Sequence, residues 1–169
     1  RLDKTDKLRL LTCFILIIGS TLFWSSFEQQ PTSFNLFADR YTDLNVLGFE
    51  IPSIWFQSLN PLFILLLAPI FSIVWIKLAN RGLEPNSMVK FALGMLLTAA
   101  GFSLMIFASK SILTSDGALA SPLWLVGSLL LLTLGELALS PVGLSAMTKL
   151  APKGMQGQMM GLFFASVVM

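Results

Sequence analysis

Two glutamates stand alone in long apolar runs, and they are the residues best placed to do chemistry. Residues 10–38 hold one charged side chain, Glu28, and residues 117–148 hold one, Glu136. A carboxylate in hydrocarbon is disfavoured by about 2.5 kcal/mol or more, so such residues face water, a partner or a substrate. A partner that comes and goes would let either glutamate load and release a proton. Neither run contains a lysine or arginine, so a structural ion pair would need a base from elsewhere.

Other polar side chains keep helical spacing around them. Trp24 and Glu28 are i, i+4, which puts an indole and a carboxylate on one helix face. Ser53, Gln57 and Asn60 fall at i, i+4 and i+7, predicting a polar stripe. Glu136 and Ser140 are again i, i+4, directly before Pro141. Prolines at 31, 61, 69 and 141 break the same three runs, and each frees a backbone carbonyl and kinks a helix. Interrupted apolar helices bearing polar groups face a cavity, and in transporters they form the substrate site. The run 91–109 differs: Ala92, Gly94, Ala99, Ala100 and Gly101 suit close helix packing.

The elements that must position these residues are membrane spans. The 169 residues are 55% hydrophobic and 12% charged, with a mean hydropathy of +0.79, against about 25% charged in soluble domains. A bilayer core needs about 20 apolar helical residues. The sequence predicts an all-α membrane protein with spans near 10–38, 52–76, 91–109, 122–148 and 157–169, the fifth cut short. Stretches such as Phe63–Leu67 lack the alternation of barrel strands. With no histidine and one cysteine, Cys13, a disulfide or a His/Cys metal site within the chain is excluded. A net charge of +2 is too small and dispersed for nucleic acid.

The first run is read as a true span and not a leader, because Asp3 and Asp6 sit among the bases and no small-x-small site precedes Trp24–Glu28. The chain begins at Arg1 instead of methionine and stops inside an apolar run, so a piece of a larger protein is expected. Nine bases lie on one side (Arg1, Lys4, Lys7, Arg9, Lys77, Arg81, Lys90, Lys149 and Lys153) and two, Arg40 and Lys110, on the other. That asymmetry predicts a cytoplasmic N-terminal tail. Counting about 1.5 Å per residue, Glu136 falls roughly 20 Å from each end of its span, near the midplane. Glu28 and Asn60 fall in the outer half.

From the residues alone, two acids with amides and aromatics fit a carrier of cationic or zwitterionic solutes. A channel would show a filter loop or a charged ring. An intramembrane enzyme would show a nucleophile with its base, or metal ligands, and no enzyme is expected. A membrane scaffold or assembly subunit derived from half a transporter is the alternative.

Four motifs in order carry a resemblance. Trp24-Ser-Ser-Phe-Glu28-Gln29, Trp55-Phe56-Gln57-Ser-Leu-Asn60-Pro61, Gly135-Glu136-Leu-Ala-Leu-Ser140-Pro141-Val-Gly143-Leu-Ser145 and Leu150-Ala-Pro152 with Met159-Met160-Gly161 resemble the proton-dependent oligopeptide transporters. That family is a branch of the major facilitator superfamily. The resemblance runs from about Leu11 to the end. It implies helices seven to eleven of a twelve-helix fold, so residues 1–169 would be a partial C-terminal bundle of a two-bundle transporter. It also implies proton-coupled symport of di- and tripeptides across a cell (plasma or inner) membrane, with protons as coupling ion and no other cofactor. Glu136 then resembles the acid that receives the peptide ammonium, with Ser140 beside it, and Asn60 the amide that bonds the peptide backbone. Trp24 resembles a pocket wall, and Glu28 the acid that pairs with an arginine of the N-terminal bundle at the outer gate. Phe163 stands where the family usually has tryptophan after Met-Met-Gly-x, which implies a changed side-chain preference. The N-terminal bundle, with the family's acid–arginine–tyrosine motif, is an implied partner beside peptides, protons and lipid.

Overall fold

The computed structural model describes residues 3–46, 48–115, 118–152 and 154–168. Arg1 and Lys153, two of the nine bases behind the orientation, lie outside them. Helix α1 spans Lys4–Phe27 and starts at Asp3, whose carboxylate accepts from the Lys4 N–H at 2.7 Å. Pro31 then removes a backbone donor, and the chain passes through a π-helical turn at Gln30–Phe34 before resuming as α2, Asn35–Tyr41. An extra residue per turn is how a helix absorbs such a break without stopping. Two short antiparallel strands follow, β1 (Asn45–Val46) and β2 (Phe49–Glu50).

After Pro52 the chain tightens into a 3-10 helix, Ser53–Ser58, and widens into α3, Leu59–Asn80. Gly82 ends α3 at a φ of +68°, a conformation that disfavours a side chain. It allows Leu83 N–H to bond Leu78 C=O and Gly82 N–H to bond Ala79 C=O, each at 3.0 Å, a Schellman closure. Asn86 caps α4 (Ser87–Thr114) by accepting from Val89 N–H at 2.9 Å. Lys90 ties this turn together: its ammonium lies 2.5 Å from the Glu84 carboxylate and 4.7 Å from the Trp75 ring centre. The Lys90 hydrogen bond, reinforced by its charge, holds the exposed Glu84 carboxyl below its ordinary pKa. Helices α5 (Leu123–Leu150) and α6 (Gln156–Val168) complete the chain.

The runs Lys4–Tyr41, Ser53–Asn80, Ser87–Thr114 and Leu123–Leu150 are long and apolar enough to cross a membrane, whereas α6 has 13 residues. Helix α5 is the hub, and its longest seam is with α4. Glycines set that seam. A Cβ on Gly94 would sit 2.9 Å from the Gly135 carbonyl, and one on Gly135 would sit 2.8 Å from the Gly94 carbonyl. Across the same seam Ser128 Oγ donates to the Gly101 carbonyl at 2.8 Å. This is the close packing the small residues of 91–109 predict.

Two apolar cores flank α5. One gathers Cys13, Leu16, Phe23, Leu139, Met147 and Phe163, and the other Phe34, Ala38, Phe56, Leu125, Leu129 and Leu132. Helix α3 contributes no buried residue among those described, and its Leu65 is 73% exposed. Apolar exposure on that scale suits hydrocarbon or another protein surface and not water. At the Pro122 end, Ala120 exchanges 2.8 Å backbone hydrogen bonds with Tyr41 C=O and Asp43 N–H. That bridge fastens the connection before α5 to the turn after α2.

Candidate functional site

The site is built where helices are interrupted. Glu28 is the C-cap of α1, two residues before the π-helical turn begins at Gln30, and its N–H still bonds Trp24 C=O at 2.9 Å. The predicted i, i+4 relation of Trp24 and Glu28 therefore survives to the last turn. The Glu28 side chain is exposed and lines a cavity of about 170 Å³ with Phe27, Gln30, Pro31, Gln57 and Asn60. One wall of that cavity is thus the π-helical break of the first run, and the other is the start of α3.

Asn60 joins this cavity to Glu136. Its Nδ2 donates to Glu136 Oε2 and to Thr133 Oγ1, both at 3.1 Å. Glu136 is half-buried and Thr133 is fully buried, one helical turn apart on the same face of α5. The Thr133 hydroxyl in turn donates to the Leu129 carbonyl at 2.8 Å. The result is a chain of polar contacts from α5 to the cavity, with one carboxylate at each margin.

Not every predicted residue joins this group. Ser53, Gln57 and Asn60 do not form one stripe, because residues 53–58 are 3-10 helical. At three residues per turn, positions four apart diverge by about a third of a turn. Gln57 and Asn60 face the cavity, whereas Ser53 Oγ turns to Asp39 Oδ1 at 3.4 Å. Asn60 also reaches the level of Glu136, against the separation in depth that residue counting predicts. A 3-10 rise of about 2.0 Å per residue carries the chain deeper, and the two side chains close the remaining gap.

Trp24 packs edge-on against Phe23 and Phe27, with centroids 5.3 and 5.4 Å away. Its Nε1 and the Ser140 Oγ are both buried without a partner among the described residues. Phe163 is buried in the core between α1, α5 and α6, its ring lying over Gly143 where a Cβ would collide. It is not among the described residues lining the cavity. Phe27, Gln30 and Thr133 are the members that the sequence did not single out. Thr133 carries one signal, its i, i−3 relation to Glu136.

Long apolar helices around a polar cavity that opens at helix interruptions define a polytopic membrane protein built like a secondary transporter. The chain belongs to the POT family, whose model matches residues 1–169. It is 58% identical over 98% of its length to the peptide transporter YePEPT of Yersinia enterocolitica, covering 32% of that protein. It is 41% identical to the di-/tripeptide transporter of Lactococcus lactis subsp. cremoris, over 95% of this chain and 33% of that one. A crystal structure of the peptide transporter POT in complex with sulfate superposes with a TM-score of 0.89 at 42% identity, over 98% of this chain and 32% of the other. A POT family transporter in complex with 5-aminolevulinic acid gives 0.81 at 34% identity, over 98% and 34%. The fold is therefore of the major facilitator type. The chain spans about a third of the length of each of these relatives.

Proposed function

We propose that this chain is the C-terminal-bundle part of a proton-coupled symporter of di- and tripeptides. The observation that carries the reading is the hydrogen bond from Asn60 to Glu136 at the edge of a cavity that also holds Glu28. It assembles an anion and an amide where a zwitterion's ammonium would dock. Glu136 receives that ammonium, Asn60 bonds the peptide beside it, and Ser140 supplies a further hydroxyl. Trp24 supports the wall by packing on Phe27, and Phe163 stands behind the site in the core against Gly143. Glu28 serves as the proton-linked gate acid.

The small volume, about 170 Å³, supports a one-sided site, because pockets for whole ligands run to about 300–1,000 Å³. The other wall belongs to the N-terminal bundle, which also supplies the arginine for Glu28. Protons are the coupling ion and no other cofactor is required. The protein acts as a carrier and not an enzyme, takes no nucleic acid, and lies in the plasma or inner membrane with its N-terminal tail cytoplasmic. Uptake of a labelled dipeptide by vesicles bearing the full-length carrier, with and without an inward proton gradient, tests this. Gradient-driven accumulation is expected. Uptake indifferent to the gradient removes the coupling, and no dipeptide uptake removes the substrate class and leaves a scaffold.

A further inference from the structure

The hydrogen bonds around Asn60 determine which of its two amide ends meets a ligand. Asn60 Nδ2 has two hydrogens, and both are committed, to Thr133 Oγ1 and to Glu136 Oε2 at 3.1 Å each. The Thr133 hydroxyl has one hydrogen, committed to the Leu129 carbonyl at 2.8 Å. Thr133 can therefore only accept from Asn60. Turning the amide over would set its Oδ1 against a hydroxyl whose proton is already used and against a carboxylate, two acceptors facing a third. The amide is locked one way round, with both donors toward α5 and its carbonyl Oδ1 left as the free group.

We infer that Thr133 is a positioning residue that fixes Asn60 as a hydrogen-bond acceptor, so that the site reads an N–H of its ligand. Thr133 suits this role because it is fully buried, never reaches the cavity lining, and cannot exchange its partner for water. The inference rests on the peptide reading above and deepens it. Glu136 attracts the positive charge of a terminal ammonium, whereas Asn60 Oδ1 tests whether that nitrogen still carries hydrogen. A quaternary nitrogen would keep the charge that Glu136 attracts and would have no hydrogen to give to Asn60; the Thr133 variants then isolate the share that belongs to Asn60.

The test uses the full-length carrier and two competitors of labelled dipeptide uptake, a free dipeptide and the same dipeptide with its terminus N,N,N-trimethylated. Both are cationic at that end, and only the first has an N–H. In the parent protein the free dipeptide should compete better by about tenfold, the size of one hydrogen bond to a charged group. Thr133→Val keeps the shape and removes the acceptor, so this preference should shrink several-fold, chiefly by weaker binding of the free dipeptide. Thr133→Ser keeps the hydroxyl and should restore it. In an Asn60→Ala background Thr133→Val should change the ratio no further.

Equal weakening of both competitors by Thr133→Val, or no change in either, would show that Thr133 only packs, and overturns the inference. A parent protein indifferent to trimethylation overturns the acceptor role of Asn60 while leaving the peptide reading intact. A parent protein that neither competitor inhibits overturns the peptide reading itself.

Discussion

At the scale of single residues the two glutamates differ in their company. Glu28 is exposed on the cavity with no base beside it among the described residues, whereas Glu136 is half-buried and held by Asn60. Those surroundings suit the two roles proposed above, a gate acid and an ammonium anchor. Glu28→Gln keeps the shape and removes the charge. In the full-length carrier proton-driven accumulation should fall at least tenfold, while exchange of peptide down its own gradient persists; unchanged accumulation would remove Glu28 from coupling. Glu136→Gln should weaken a free dipeptide by about ten- to a hundredfold, since a charge-assisted hydrogen bond contributes about 1.5–3 kcal/mol. An N-acetylated dipeptide has no ammonium to lose, so its inhibition constant should stay put. Equal loss for both ligands would mean that the carboxylate shapes the pocket without reading the amine.

At the scale of elements the α4–α5 seam is the least forgiving contact. A Cβ on Gly135 would meet the Gly94 carbonyl at 2.8 Å and Thr98 Oγ1 at 2.7 Å, and a backbone cannot retreat as a flexible side chain can. Gly135→Ala should therefore destabilise the bundle by about 1–3 kcal/mol, read as a lower melting temperature in detergent. The same substitution at Gly157, where a Cβ meets nothing within 4 Å, is the control that should leave it unchanged. The long helices were legible in the sequence because uncharged runs of span length are separated by short charged loops. Thr133 was not, because a threonine inside a helix commonly bonds the carbonyl four residues back. It does so here with Leu129, and nothing local marks the second partner across the bundle. The polar stripe failed at Ser53 for a related reason: a 3-10 turn after Pro52 shifts every angle, and residue types alone do not separate it from the start of an α-helix. Phe163 drew notice only through the resemblance, and its burial against Gly143, twenty positions earlier and on another helix, could not be read from the residues.

At the scale of the molecule the cavity is open, and α3 presents an apolar surface with no cover among the described residues. Both features suit the pairing with a second bundle proposed above. The 169 residues reconstituted alone in liposomes should give no proton-coupled dipeptide uptake above protein-free liposomes. Coupled uptake by this chain would show that one bundle is sufficient.

The hydrogen bonds of Asn60 also impose an order on biosynthesis. Its partners Thr133 and Glu136 lie 73 and 76 residues downstream, and Ala120, which fastens the turn after α2, is likewise made late. While the ribosome is still translating α4, the start of α3 therefore holds an amide with no protein partner from α5, and the turn after α2 has no anchor. Helix α5 is the closing piece: on its arrival Asn60, the 41–43 turn and the glycine face of α4 all find their counterparts. A nascent chain arrested after Thr114 should be cleaved by added protease between residues 42 and 52, and one arrested beyond Leu150 should resist. Equal cleavage of the two would mean that the 42–52 turn is set before α5 is made.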